Sequence, residues 1–597
     1  MSRNLYFPRL SHGFYWFSSL VLVVVAGCTT SLIRSDANDA EPVQDTAEEV
    51  RRIGEFVKPF GLNWARVESV ALVTELAATG SDPPPTSRRA VLMADMQARE
   101  VRNPNSIVAS SATSLVLASA YLPPGVKKGD PLDIEVRTPS KSETTSLRRG
   151  WLMPTRLKEM AVLGNEIVDG HVLAHANGPV LIDSYAKGTD DSVNEVRGRV
   201  LGGGVSLQSR NLKLVVRSDK ESVRLSALIG AVVNKRFHGY DRGLKEGMAV
   251  PKTDKYVELK VHPRYHDNLP RYVRVVLSIP LRLSASKQMK YLQRLEKQLQ
   301  DPESAQQAAL RLEALGQAAA DTLMSGLDVP DPATSFYAAE ALAYLDDERG
   351  VKSLARAAVE QSRFRLRAIT ALGAMDQAAA YDELVELLHV KSAQARYAAF
   401  RVLKRQNPRD PFLAGKDMEG QFTYHVVASS GEPMVHVSRV RYPEIVAFGH
   451  QIEMITPFLL FADKNLLVDG REPGTVKLSC FKKNGADAHE YCSKKLEEIL
   501  RGIVQVGGTY SHAIQFLQNA KSNKLLPARL VFDSVPHHRR SKLRPRRESV
   551  EVAARDTQSD PNGELAEESK EQQPEILSSE AIEVKSQGSF QKSPQPR

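Results

Sequence analysis

Residues 118–139, ASAYLPPGVKKGDPLDIEVRTP, decide how this chain reads. Leu132, Ile134 and Val136 alternate with Asp133, Glu135 and Arg137, the two-residue period of a half-buried strand. Ser114 to Tyr121 (SLVLASAY) is a second strand-like run, and Pro123-Pro124-Gly125 turns the chain between the two. The same texture continues through TTSLRRGWLMPT (Thr144 to Thr155) and closes on VLAHANGPVL (Val172 to Leu181). Turns and strands fill this stretch and no chemistry-bearing group does, so architecture and cellular address carry the functional information.

Working outward, Val67, Val70, Leu72 and Leu76 precede the turn formers Gly80, Pro83, Pro84 and Pro85, which predicts a strand entering an exposed loop at Asp82 to Ser87. Ser87 to Asn103 has Val91, Leu92, Met93 and Met96 at helical spacing. On the other side, Val180 to Ile182, Leu212 to Val216, Tyr256 to Val261 and Val273 to Ile279 are strand-like, and Val223 to Phe237 fits an amphipathic helix. Gly202-Gly203-Gly204 lacks the strand–helix setting of a dinucleotide fingerprint and reads as a bulge or tight turn.

In order and spacing these segments resemble the bacterial flagellar P-ring protein family. The resemblance is carried by Tyr121-Leu122-Pro123-Pro124 with Gly129 and the strand Leu132 to Val136, then by Ser146-Leu147-Arg148-Arg149-Gly150 with Leu152, Met153, Pro154 and Thr155. It continues through Ala174 to Val180, Arg199 to Val205, Leu212 to Val216 and Ala227 to Phe237. The family's glycine-rich N-terminal strand is here VALVTELAATG, with only Gly80 kept. The resemblance implies a structural subunit that self-assembles into a ring around the flagellar rod, beside outer-membrane ring proteins and associated with peptidoglycan. It implies no cofactor.

Residues 286–410 change character to Ala, Leu, Arg and Glu. Ala308-Ala309-Leu310-Arg311-Leu312 recurs as Ala338-Ala339-Glu340-Ala341-Leu342, as Ala368-Ile369-Thr370-Ala371-Leu372 and as Ala398-Ala399-Phe400-Arg401-Val402. Leu315, Leu345 and Met375 keep phase one turn later. A period of about 30 with two helices per unit resembles HEAT-type repeats, in which small residues let helices approach and leucines fill a continuous seam. Arg356, Arg363, Arg365, Arg367, Arg396 and Arg401 form either a solvated face or a partner surface.

Strand patterns return at Phe422 to Val427, Val435 to Val440, Ile452 to Ile455, Phe458 to Phe461 and Leu466 to Val476. Leu496 to Leu526 holds two helical stretches split by Gly507-Gly508, and Ala528 to Phe532 is a closing strand. This ending again resembles the P-ring protein, so the fold class is α+β: P-ring-like mixed strand and helix parts interrupted by an all-α HEAT-type segment. Beyond Val535 a basic cluster, His537 to Arg547, leads into an acidic, Gln, Ser and Pro-rich tail with too few apolar residues for a core.

The N-terminus supplies the address. Arg3 and Arg9 precede an apolar run, Phe14 to Ala26, too short to span a bilayer comfortably and ending in Val25-Ala26-Gly27-Cys28. This resembles a bacterial lipoprotein signal whose Cys28 accepts lipid; Thr29 leans towards the outer membrane. The division of the chain is therefore 1–27 signal peptide, 28–50 tether, 51–285 P-ring-like part, 286–410 repeats, 411–533 P-ring-like C-terminal part and 534–597 charged tail. The expected location is the periplasm, at the flagellar basal body, with the lipid holding the protein to the outer membrane.

With 597 residues, 42% hydrophobic and 25% charged, there is material for several domains, and a mean hydropathy of -0.31 excludes a polytopic membrane protein. The net charge of +9 permits an anionic partner, but the exported address and the lack of a nucleic-acid module argue against DNA or RNA. Apart from Cys28 there are Cys480 and Cys492, either a disulfide or two reduced thiols. His171 with His175, and His262 with His266, are each four apart with no third ligand, so neither pair reads as a metal site. Phosphate loops and nucleophile elbows are missing, and no enzyme is expected. A lipoprotein scaffold recruiting a partner through its repeats is the alternative reading. Replacing Cys28→Ser should move the protein from the membrane to the soluble fraction; unchanged fractionation would count against lipidation.

Overall fold

The computed structural model describes residues 50–163, 166–182, 192–241, 243–463, 465–481 and 486–535. The signal, Cys28, nearly all of the tether and all but the first two residues of the expected tail lie outside them. Within the described residues the class is mixed α+β, strand-rich first, helical over 285–406, then mixed again.

After a short strand, β1 (Val57–Phe60), come β2 (Ala65–Thr74), β3 (Ser114–Leu122), β4 (Pro131–Arg137), β5 (Trp151–Leu163), β6 (Glu166–Pro179), β7 (Leu181–Ile182) and β8 (Arg197–Ser206). Neighbours pair antiparallel in the order β4-β3-β2-β5-β6-β8, and β8 closes back on β4. β7 continues along β8 in the register of β6. The barrel therefore has no free edge to invite stray strand pairing. Its alternation is the one read from the sequence: Leu132, Ile134 and Val136 are buried, and the small Ala118, Ala120, Ala174 and Ala176 let so narrow a barrel close. Two helices between β2 and β3, α1 (Ser87–Ala98) and α2 (Pro104–Val108), cover it with Leu92, Met96 and Val108 against Leu72 and Leu115.

Next come β9 (Leu212–Val216), α3 (Val223–Arg236), the hairpin β10 (His238–Asp241) and β11 (Leu244–Gly247), then β12 (Ala249–Pro251) and β13 (Tyr256–Leu259). A four-stranded antiparallel sheet, β1-β9-β13-β12, results, with α3 on one face. The strand expected at Val273 to Ile279 is instead a helix, α4 (Leu269–Ser278). Its β-branched run misled, but Pro270 sits in the first turn and the Asn268 side chain accepts from the Arg271 amide at 3.3 Å. Buried Leu269, Tyr272, Val273 and Val276 then follow helical, not strand, spacing.

The repeats are α5 (Ala285–Gln300), α6 (Ala305–Leu315), α7 (Ala320–Met324), α8 (Pro332–Leu345), α9 (Val351–Glu360), α10 (Arg365–Leu372), α11 (Ala378–Glu386) and α12 (Ala393–Gln406). The recurring motif falls on α6, α8, α10 and α12. Ala308, Ala338, Ala368 and Ala398 are buried, and so are Leu312, Leu342, Leu372 and Val402. Caps restart the pattern: Asp331 accepts from the Thr334 amide at 2.8 Å and Ser392 from that of Ala395 at 3.3 Å.

The chain ends with β14 (Gly415–Met418), β15 (Phe422–Val427), β16 (Met434–Val437), β17 (Glu444–Phe448), β18 (Leu459–Asp463), β19 (Leu466–Asp469), β20 (Val476–Cys480) and β21 (Ala488–Cys492), followed by α13 (Leu496–Gln505), α14 (Tyr510–Ser522) and β22 (Arg529–Phe532). A mixed sheet has the order β14-β15-β17-β16-β22, and β18 to β21 form a meander. Ile452 to Ile455, expected as a strand, makes only an isolated bridge, Glu453 to Lys495. β17 was not foreseen; all five of its residues are buried because the sheet is covered on both faces. Val446 and Phe448 join the core of the repeats, while Ile445 and Ala447 join that of the barrel and α13–α14.

Repeat helices expose apolar ends unless capped. Here α12 is capped by the C-terminal sheet: the buried Glu444 carboxylate accepts from the Tyr397 hydroxyl at 2.7 Å and from Arg401 at 3.1 Å. On the other side, α4 packs along the first repeats. Its Arg271, 2% exposed, forks its guanidinium between the carboxylates of Glu313 on α6 and Glu340 on α8, both fully buried. Burial works against the Arg271 charge, and the two carboxylates outweigh it, so its pKa is raised. Arg367 on α10 supplies the second cation, 3.1 Å from Glu340, and the Tyr265 hydroxyl donates to Glu313 at 2.6 Å. Removing one member of such a cluster strands buried charge at a cost of about 3–5 kcal/mol. Arg271→Met should therefore lower the denaturant midpoint sharply, and adding Glu313→Gln should restore part of the loss. A midpoint unchanged by Arg271→Met would refute this role.

Candidate assembly surface

The family-like motifs turn out to be structural ties. Arg148 of the Leu-Arg-Arg-Gly segment donates to both Glu195 oxygens at 2.8 and 2.6 Å and reaches Asp463 on β18 at 3.2 Å, joining the barrel to the meander. Ser146 donates to the same Glu195 at 2.7 Å. The carbonyl oxygens of Leu122 and Pro123 accept from Arg210 at 3.0 and 3.5 Å. The glycine triplet is a bulge, as read: the β4–β8 register shifts between Leu132 and Ile134, and Gly202 has φ of +61°. There Asp133 accepts from the Gly202 amide at 3.0 Å and the Arg441 amide at 2.8 Å, pinning the β16–β17 connection to the barrel. A Cβ on Gly202 would lie 2.6 Å from the Arg441 carbonyl oxygen. Burial raises the Asp133 pKa against these two hydrogen bonds.

The repeat arginines are mostly neither a solvated face nor a free partner surface. Arg367 serves Glu340, Arg401 serves Glu444, and Arg365 binds the carbonyls of Ala358 and Val359 at 2.8 and 2.9 Å. Arg396, 1% exposed, donates to the Glu432 carbonyl at 2.6 Å. Arg356 and Arg363 remain exposed, the latter over the Phe364 ring at 4.2 Å. The sequence reading missed Arg271, Glu313 and Glu340. A signal existed: Glu313 occupies the repeat phase held by Ala343, Gly373 and Leu403, and Glu340 the phase held by Leu310 and Phe400.

Cys480 and Cys492 are both free thiols, and the disulfide alternative fails on register. Cys480 faces Ala488 and Cys492 faces Val476 across β20–β21. Four strand residues separate the two positions by about 13 Å, roughly twice the span of a disulfide. Burial, then Glu498 and Glu490, pushes the Cys492 thiol up to about 12. His171 and His175 lie exposed along β6, and the His262 ring accepts from the Arg264 amide at 3.3 Å. Among the described residues no group of three metal-ligating side chains occurs, and no helix is long and apolar enough to cross a membrane.

Three exposed apolar surfaces remain. The open face of β1-β9-β13 sets Phe60, 62% exposed, opposite Lys213, and Val215 opposite Tyr256, with Trp64 in the adjoining loop. The β10–β11 hairpin offers Tyr240 and Leu244, more than 70% exposed. The meander offers Leu459, Phe461 and Tyr491. The loop Asp82 to Ser87 is exposed apart from Pro83 and is braced by Arg89, which donates to Asp82 at 2.6 Å and to the Pro83 carbonyl.

The architecture is a closed barrel tied by its motif residues to flanking sheets, with a helical solenoid between. Residues 52–290 match the family described as flagellar P-ring protein, and residues 320–404 match HEAT repeats. The first match runs from just ahead of β1 into α5, and the second from α7 into α12. No curated protein matches the chain.

The buried histidines make a measurable prediction. His425 donates from Nδ1 to the Leu413 carbonyl at 2.9 Å, and burial with Lys404 holds its pKa to about 4. His436 stacks on Tyr397 at 3.5 Å, and burial with Arg439 holds it to about 3. Both are neutral when folded and bind protons on unfolding, so stability is full above about pH 6.5 and falls as pH drops towards 4, by on the order of 3 kcal/mol each. Denaturant midpoints at pH 7.5 and 5 should differ, and His425→Gln should shrink the difference. A flat profile would exclude neutral burial.

Proposed function

We propose that the chain is a structural subunit of the flagellar basal body, assembling a P-ring-like collar around the rod in the cell envelope and supporting motility. The observation that carries this reading is the P-ring match over residues 52–290. Residues 411–533 complete that P-ring-like fold and the HEAT repeats interrupt it; the shared core of barrel and C-terminal sheets supports this division. The ring grows through heterologous contacts, for which a subunit needs two unlike surfaces. The Phe60–Trp64 sheet face, the Tyr240–Leu244 hairpin and the braced Asp82 to Ser87 loop are the contact candidates. Lipidation at Cys28 would hold the ring at the outer membrane, next to outer-membrane ring proteins and peptidoglycan, and no catalysis is involved. The engagement of most repeat arginines inside the molecule weighs against partner recruitment as the main role of the repeats. Deleting the gene should abolish swimming and leave basal bodies without the collar in electron micrographs. Normal swimming with an intact collar would overturn the proposal.

A further inference from the structure

We infer that the cleft where α3 and the β10 strand meet the His262 to Tyr265 turn and α8 binds a small oxyanion, a carboxylate or phosphate. This inference is independent of the flagellar reading. The cavity measures about 240 Å³. Its floor is aromatic and buried: Tyr265 stacks on Tyr344 at 4.6 Å and meets Phe237 edge-on at 5.5 Å. Its half-buried rim is Arg236, His238, His262 and Arg264, and no carboxylate lines it.

The donors are positioned but not fully used. Arg236 gives Nε and Nη2 to the Glu313 carbonyl at 3.2 and 2.9 Å, and no ion pair engages it among the described residues. The enclosed Nδ1 of His238 has no hydrogen-bond partner. Arg264 places Nη2 3.1 Å from Asp346 and 2.9 Å from Asp376, which fixes the side chain from behind. The concentration of positive charge registers on its neighbour: burial, then Arg264 and Arg236, pushes the His262 imidazole down to about 4. An oxyanion entering here meets pre-oriented guanidinium donors, which form strong charge-assisted hydrogen bonds, over an aromatic floor. At roughly 30 Å³ per water the cavity has room for about eight, just below the small end of drug-sized pockets. The ligand is therefore an ion such as phosphate or a short polycarboxylate. Tyr344 comes from the repeats and the rest of the lining from the P-ring-like part, so the site exists only where the two are joined.

The test is thermal unfolding and calorimetric titration of the full chain with sodium phosphate and sodium citrate, against sodium chloride at matched ionic strength. A saturable rise in melting temperature with one oxyanion, beyond the chloride control, is expected. Arg264→Gln should weaken that binding about tenfold, the loss of one charged donor. His238→Leu, which removes no recorded bond of Nδ1, should fold normally and weaken it severalfold, so it decides the matter if Arg264→Gln is unstable. Lys235→Gln, outside the lining, should bind as the parent does. No saturable response, or an equal response in His238→Leu and the parent, would overturn the site.

Discussion

One buried guanidinium holds the two halves of this architecture together. Arg271 on α4 enters the first repeats and finds Glu313 and Glu340, with Arg367 closing the charge balance at two positive and two negative groups. An unpaired charge at this depth would be prohibitive, so the cluster tolerates only the arrangement in which α4, α6, α8 and α10 arrive together. Register between the P-ring-like sheet and the solenoid follows from it. The aromatic stack of Tyr265 on Tyr344 lies against the same cluster and repeats the tie with apolar surface.

The far end of the solenoid is fastened by the same device. Glu444 is buried in β17 and gathers Tyr397 and Arg401 from α12, while the Tyr510 hydroxyl of α14 donates to its carbonyl oxygen at 3.0 Å. The repeats are thus tied to both neighbouring parts of the chain through side chains on α6, α8, α10 and α12. The barrel is pinned to the C-terminal part by Asp133 and Arg148.

Much of this was legible from residues. The alternation of Leu132, Ile134 and Val136 and the 30-residue return of Ala308, Ala338, Ala368 and Ala398 specify strand and helix because both periods are local properties of the backbone. The Val273 to Ile279 run shows the limit: local β-branching pointed to a strand, and a proline and cap at Asn268–Pro270 won. The exposed apolar surfaces were barely legible, since Phe60, Tyr240 and Leu244 look like core residues until the fold leaves them outside. The repeat arginines failed in the opposite direction, reading as surface and serving the interior.

The sequence by itself determined the α+β class, the repeat period, the turns and the family resemblance, all of which depend on neighbours a few residues apart. Tertiary structure alone decided that β8 closes the barrel on β4, that Cys480 and Cys492 stand too far apart to join, and that Arg271, Glu313 and Glu340 meet. Each of these is a contact between distant positions, set by register and burial. Charge or thiol chemistry becomes structural only when the fold removes water and fixes the distance.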